Sequence, residues 1–238
     1  MLEKSLRLLQ AFGPSGRPLR LADLTRRSGM PKSTTHRLAH ELVALRLLEL
    51  EDGYFRIGVA VFELGRLVPV TQRLRETAMP FMQDLFAATQ ETVHLGIRDG
   101  YDVIYAEKIH GHGGIHLPSR VGGRLPLTCT AVGKALLACS ERALIDDVLS
   151  HPLRRITEFS VVDPAVLERQ LAEIRATGLA LEREEAGLGG ACVAAPVLVA
   201  GQPVAALSVS VAVADYQPTR LAAAVRTAAF GLSRQLAH

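Results

Sequence analysis

Residues 21–58 read LADLTRRSGMPKSTTHRLAHELVALRLLELEDGYFRIG. Leu21, Ala22 and Leu24 mark a short helix. Ser28-Gly29-Met30 makes a tight turn with glycine where a left-handed residue is wanted, and Pro31 opens a second helix. At about 100° per residue, Pro31, Thr34, Thr35, Leu38, Leu42 and Leu45 of that helix gather on one side, the expected buried face. Lys32, Ser33, His36, Arg37 and His40 share the other side. With Arg26 and Arg27 just upstream, residues 26–37 carry four positive charges and no acid, a surface suited to phosphate and the major groove. An ordinary solvated helix carries the same residue types, so the helix alone does not decide and residues 48–57 do. Leu48 and Leu50 alternate with acids, Asp52-Gly53 is a two-residue hairpin signal, and Tyr54-Phe55-Arg56-Ile57 returns as a second strand. These elements describe a winged helix-turn-helix, with Arg56 on the wing available to a phosphate or the minor groove.

Outside this stretch, charge is unevenly distributed. Residues 1–67 hold 11 Lys and Arg against 7 Asp and Glu, and the remainder 16 against 17, so the cationic surface belongs to the N-terminal part. Leu2, Leu6 and Leu9 place a helix ahead of the motif, ended by Gly13-Pro14-Ser15-Gly16. After the wing, Val61, Leu64 and Leu67-Val68 form one apolar stripe of a linker helix that Pro69 ends or kinks. The absence of Trp and the low aromatic content argue against a base-stacking surface for single strands.

From residue 74 onward an amphipathic helix runs to residue 89 through Pro80, after which the period changes to two. Val93, Leu95 and Ile97 alternate, Asp99-Gly100 turns the chain, and Val103-Ile104-Tyr105 returns. Residues 125–127 read as a short strand; 131–138, 141–149 and 163–177 as helices, the last closed by Gly178; 179–182, 192–199 and 203–213 as strands; and 221–236 as a final helix. Strands joined by hairpins, without steady alternation with helices, indicate an α+β domain on a mainly antiparallel sheet. The apolar run from residue 192 to 214 is broken by Gly201-Gln202-Pro203 and reads as two buried strands, not a membrane span.

Two local features bear on binding. Thr130 stands at the expected N-cap of the 131–138 helix, which would leave the N–H groups of Ala131, Val132 and Gly133 turned toward an anion. Thr130 capping its own helix with nothing bound is the alternative. Ser208 and Ser210 point to one face of their strand, opposite Leu207, Val209 and Val211.

SGMPKSTTHRL followed by the Asp-Gly hairpin resembles the DNA-binding domain of the IclR family of bacterial transcriptional regulators, whose pattern runs Gly, an apolar residue, Pro-Lys-Ser-Thr and a later His-Arg-Leu. RLPLTCTAVGKALLA (124–138), EREEAGLGGACVAAPV (182–197) and AALSVS (205–210) resemble the signatures of its effector domain. The resemblance implies a winged helix-turn-helix over residues 1–58, a linker helix over 59–72, and a GAF-like effector-binding and oligomerisation domain over 73–238. It implies that Ala131, Val132, Glu182, Cys192, Ser208 and Ser210 border a pocket for an acidic metabolite. It also implies a dimer joined in part by the linker helix, and a dimer of dimers. Position 182 departs from the family: Glu stands where Asp is usual, one methylene longer.

The expectation is therefore a regulator of double-stranded DNA at a palindromic operator, without cofactor, controlled by a small organic acid. Ser33, Thr34, His36 and Arg37 are expected in the major groove and Arg26, Arg27, Lys32 and Arg56 on phosphate. No residue separates repressor from activator. Three cysteines without CxxC spacing, and no basic segment followed by an apolar one at the start, lead to a cytoplasmic expectation. His110, His112 and His116 lack a specific ligand spacing and are expected to be loop residues, not a metal site. The competing class is a hydrolase with an appended winged helix, using Ser208, Cys129 or Cys192 as nucleophile and His110, His112 or His116 as base; no nucleophile-elbow motif supports it.

Overall fold

The computed structural model describes residues 1–13, 16–112 and 118–237, and of residues 69–71 the backbone alone. The chain separates into two units, Met1–Gln72 and Arg73–His238.

The first unit contains α1 (Leu2–Gln10), β1 (Leu19–Arg20), α2 (Leu21–Ser28), α3 (Lys32–Ala44), β2 (Leu48–Glu51), β3 (Tyr54–Ile57) and α4 (Val59–Arg66). Gly29 closes α2 at φ 66°, its N–H bonded to the Thr25 carbonyl, the left-handed ending that glycine supplies without a Cβ clash. Leu8, Phe12, Leu24, Leu38, Leu42, Leu48 and Phe55 share one core. The Asp52-Gly53 turn has positive φ at both central residues, as the twist of a two-residue hairpin requires.

Three local expectations differ from what is seen. β1 adds a third strand, pairing Leu19 with Phe55 and Arg20 with Tyr54; two residues are too few to display alternation. Leu45, expected in the buried face of the second helix, is 65% exposed, because α3 stops at Ala44 and Arg46, at φ 58°, redirects the chain into the wing. Pro31 is also exposed, and Ala39 occupies the core instead.

The second unit carries most of α5 (Pro69–Thr89), then β4 (Thr92–Asp99), β5 (Asp102–Ile109), β6 (Arg124–Pro126), α6 (Ala131–Ala138), α7 (Arg142–Ser150), α8 (Pro164–Thr177), β7 (Ala180–Arg183), β8 (Gly190–Val199), β9 (Gln202–Ala212) and α9 (Pro218–Leu236). The six strands form one antiparallel sheet in the order β6-β5-β4-β9-β8-β7. α5 and α9 cover one face through Met82, Leu85, Val225 and Leu232 against Val93, Leu95, Leu207 and Val209. α6, α7 and α8 cover the other through Leu136, Leu137, Ile145 and Leu171 against Val103, Ala194 and Ala206. This is the α+β class expected, with a wholly antiparallel sheet. The first hairpin turns one residue later than expected, since Asp99 pairs with Asp102 and Gly100-Tyr101 forms the loop. Leu127 belongs to a single 3-10 turn, not to the strand. Pro69 opens α5, where its missing N–H costs nothing.

Candidate functional site

In the first unit the outer side of α3 is open. Lys32, Ser33, His36 and Arg37 are exposed, Thr34 is half-buried, and Thr35 is buried with its hydroxyl donating to the Pro31 carbonyl at 3.1 Å. Three of the expected DNA contacts are held by acids: Arg37 by Glu41 at 2.5 Å, Arg26 by Asp23 at 2.6 Å and Arg56 by Glu51 at 2.8 Å. Arg27 donates to the Ala11 carbonyl at 3.3 Å, and Lys32 has no ion pair among the described residues. Exposed pairs of this kind hold their partners weakly, so each arginine can exchange its carboxylate for a phosphate. His36 stacks on His40 at 4.4 Å between ring centroids, and His40 leans edge-on against Phe55 of the wing at 5.9 Å.

In the second unit a cavity lies between the sheet and the start of α6. Register explains its chemistry. On the face that α6 covers, one cross-strand row runs Glu182, Cys192, Ser210, Thr92, and the next runs Ala180, Ala194, Ser208, His94, Lys108; directly opposed residues of paired strands share a face. Thr130, Ala131 and Val132 at the start of α6, Glu182 on β7, Cys192 on β8 and Ser208 and Ser210 on β9 all line the cavity. Leu125 lines it too, whereas Leu127 is packed into the core beside α6. Close approach of α6 needs two glycines. A Cβ at Gly133 would stand 2.2 Å from the Leu127 carbonyl oxygen, and one at Gly96 would stand 2.5 Å from Val132 Cγ1.

Thr130 caps α6, accepting from the Gly133 N–H at 3.0 Å and donating to the Pro126 carbonyl. The expectation of three open N–H groups is thus corrected to two, those of Ala131 and Val132, which lack intrahelical partners. Glu182 is buried, and its Oε1 accepts from the N–H groups of Glu185 at 2.5 Å and Ala186 at 3.2 Å. The carboxylate thus caps the loop that follows it. Burial pushes Glu182 up to about 7, against the pull of those backbone donors. Burial also pushes up the Cys192 thiol, whose sulfur lies 2.8 Å from Ser210 Oγ.

Sequence reasoning missed the central residue. His94, 2% exposed, has Nε2 2.8 Å from Ser119 Oγ and Nδ1 3.4 Å from both Ser208 Oγ and Ser210 Oγ. The alternation of Val93, Leu95 and Ile97 already assigns His94 to the opposite, polar face. Burial, reinforced by the nearby Lys108 charge, lowers His94 to about 3, so it is neutral and can donate from one nitrogen while accepting at the other. Tyr105 stacks near it at 5.2 Å, and Ser119 closes the wall from the segment between β5 and β6.

As a Ser–His pair this is poorly arranged for hydrolysis: the separation is 3.4 Å, His94 faces Ser119 and not an orienting carboxylate, and its depressed basicity is wrong for a base at neutral pH. The expected alternative bases lie elsewhere. His110 is exposed, His112 packs on Phe86, and His116 lies outside the described residues. Among the described residues no group of three His, Cys, Asp or Glu side chains is placed for a metal, and no helix is long and apolar enough to cross a membrane.

Residues 1–52 match the IclR helix-turn-helix domain and residues 66–234 the C-terminal domain of bacterial IclR transcriptional regulators. The chain belongs to the IclR family. This IclR-family chain is 32% identical over its whole length to the HTH-type transcriptional regulator XynR of Escherichia coli K12, covering 97% of that protein. It is 30% identical over 92% of its length to the HTH-type transcriptional repressor AllR of Klebsiella pneumoniae, covering 82% of it. Among solved structures, an IclR homologue from Microbacterium hydrocarbonoxydans complexed with 4-hydroxybenzoate superposes with a TM-score of 0.89 at 29% identity, covering 99% of this chain and 98% of the other. The Thermotoga maritima IclR gives 0.83 at 26% identity, covering 100% and 98%. The chain is therefore a transcriptional regulator with a DNA-binding helix-turn-helix and an effector domain.

Proposed function

We propose that the chain binds a palindromic double-stranded operator as a dimer or dimer of dimers and that a small organic acid in the effector domain changes its operator affinity. One observation carries the DNA half: the exposed, acid-poor face of α3, with Lys32, Ser33, His36 and Arg37 pointing outward. Ser33, Thr34, His36 and Arg37 read bases, Thr34 only at the edge of that face, while Arg26, Arg27, Lys32 and Arg56 hold phosphate. One recognition helix spans too few bases for adequate specificity. α4, none of whose residues is buried and whose Phe62 and Leu64 are 68% and 57% exposed, offers an apolar surface to a second copy. The functional divisions are residues 1–58 for DNA, 59–72 as linker and 73–238 for effector and assembly, in the cytoplasm.

The acid enters between the start of α6 and the Ser208–Ser210 strand. Hydroxyl, thiol and imidazole donors and the Ala131 and Val132 N–H groups favour a carboxylate. The 4-hydroxybenzoate complex of the Microbacterium relative supports an aromatic acid, and the repressor name of AllR supports repression as the sense of control. Titration of labelled DNA from beside the gene, at several salt concentrations, tests the DNA half: saturable binding with steep salt dependence and preference over random DNA is expected. Indifference to sequence, or no binding at low salt, overturns it.

A further inference from the structure

The cavity wall contains no lysine or arginine among the described residues, which is an odd lining for a site that takes an anion. The cavity is also small, about 20 Å³, room for about one water. A carboxylic acid therefore enters only if some wall group gives way, and the wall offers it hydrogen-bond donors but no fixed positive charge.

One cationic side chain among the described residues hydrogen-bonds to a wall residue. Lys108 of β5 stands directly across from His94 in the sheet, on the same face, and its Nζ donates to the Ser119 carbonyl at 2.8 Å and to Ser119 Oγ at 3.2 Å. Its neighbour Glu107 turns to the opposite face and is held there by Arg75 of α5 at 2.6 Å. Lys108 itself makes no ion pair with any described carboxylate. It is a half-buried ammonium with neutral partners only, and desolvation lowers its pKa accordingly. Such a group gains more from an anion than from a hydroxyl.

Ser119 is the partner that Lys108 and His94 share. Its hydroxyl bridges Lys108 and His94, so accepting a hydrogen bond from Lys108 leaves its own hydrogen to be donated to His94 Nε2. His94 Nδ1 then carries the hydrogen toward Ser208 and Ser210. We propose that Lys108 is the charge partner of the effector carboxylate, which takes over from the Ser119 hydroxyl between Lys108 and His94. His94, being neutral, accommodates the exchange by changing tautomer: Nε2–H donates to the carboxylate and Nδ1 accepts from a serine hydroxyl. Lys108 thus selects acids over neutral ligands, and the displaced Ser119 hydroxyl supplies the space. This inference rests on the acid-binding reading above.

The test uses the full-length protein and a panel of acetate, succinate, benzoate and 4-hydroxybenzoate, measured by thermal shift and calorimetry, with the primary amide of the best binder as a neutral twin. Lys108→Met is expected to weaken the acid by about tenfold or more while leaving the amide within about twofold, and Lys108→Arg to recover most of the loss. If Lys108→Met binds the acid as wild type does, or if Lys108→Met and Lys108→Arg lose it equally, Lys108 is not the charge partner though the acid site stands. If no acid of the panel binds the wild type, the acid-binding reading fails and this inference fails with it.

Discussion

Two ion pairs in this molecule have the same length and opposite uses. Arg37–Glu41 on α3 and Lys134–Glu185 between α6 and the loop after β7 both close to 2.5 Å. The first has side chains 52% and 45% exposed, the second 0% and 7%. Water competes for the first pair and cannot reach the second, so distance alone says nothing about energy. Arg37 can leave Glu41 for DNA at little cost. Lys134 has no alternative to Glu185, and through it α6 is tied to the loop whose N–H groups cap Glu182. Ser160 and Thr157 bind the same loop by donating to its carbonyls. The exposed pair lies on the surface proposed to meet DNA, the buried one in the frame that holds the cavity.

The largest effect is therefore expected at the buried pair. Lys134→Met should cost about 3–5 kcal/mol by denaturant unfolding, because it leaves the Glu185 carboxylate buried alone. Adding Glu185→Leu should restore much of that, and a double variant no better than the single would mean that the charge is not what matters. Next in size is Arg37→Ala, which should cost about 1–3 kcal/mol at the operator and relax preference at one base. Lys32→Ala should weaken all sequences alike and reduce the salt slope by about one. Equal losses on operator and random DNA for both variants would remove the assigned division between base and phosphate contacts.

The cavity should also respond to pH. Glu182 rises to about 7 through burial, so it is mostly neutral below that value and mostly anionic above it. A bound carboxylate opposes the anionic form, so acid affinity should increase as pH falls through 7 and decline by up to about tenfold per unit above it. Calorimetry across this range checks the sign, and Glu182→Gln should flatten the profile. The smallest effect belongs to the exposed pair. Glu41→Ala should change stability by less than about 1 kcal/mol while modestly tightening DNA binding, and a stability loss comparable to that of Lys134→Met would erase the contrast between the pairs.

The same contrast explains what is legible in the sequence. The surface proposed to meet DNA lies along one helix and one hairpin, so helical period, Gly29, Pro31 and Asp52-Gly53 suffice to mark out those elements. Leu45 reads as buried because periodicity continues past the point where Arg46 turns the chain. The cavity is assembled from all six strands of the sheet, the start of α6 and the segment before β6, and only pieces bearing a family signature or strand alternation stand out. His94 faces Ser208 only through the β4–β9 register, a pairing between strands far apart in the chain. Lys108 and Ser119 carry no periodic signal, and their contact emerges only when the sheet is assembled.

The central claim, that occupancy of this cavity controls DNA binding, is tested most directly by the operator dissociation constant with and without a saturating acid in wild type and in the Ser208→Ala/Ser210→Ala variant. The account predicts that the acid shifts the wild-type constant and leaves the variant's unchanged, with equal ligand-free affinities. An acid that shifts both proteins equally, or binds the wild type without moving its operator affinity, contradicts it.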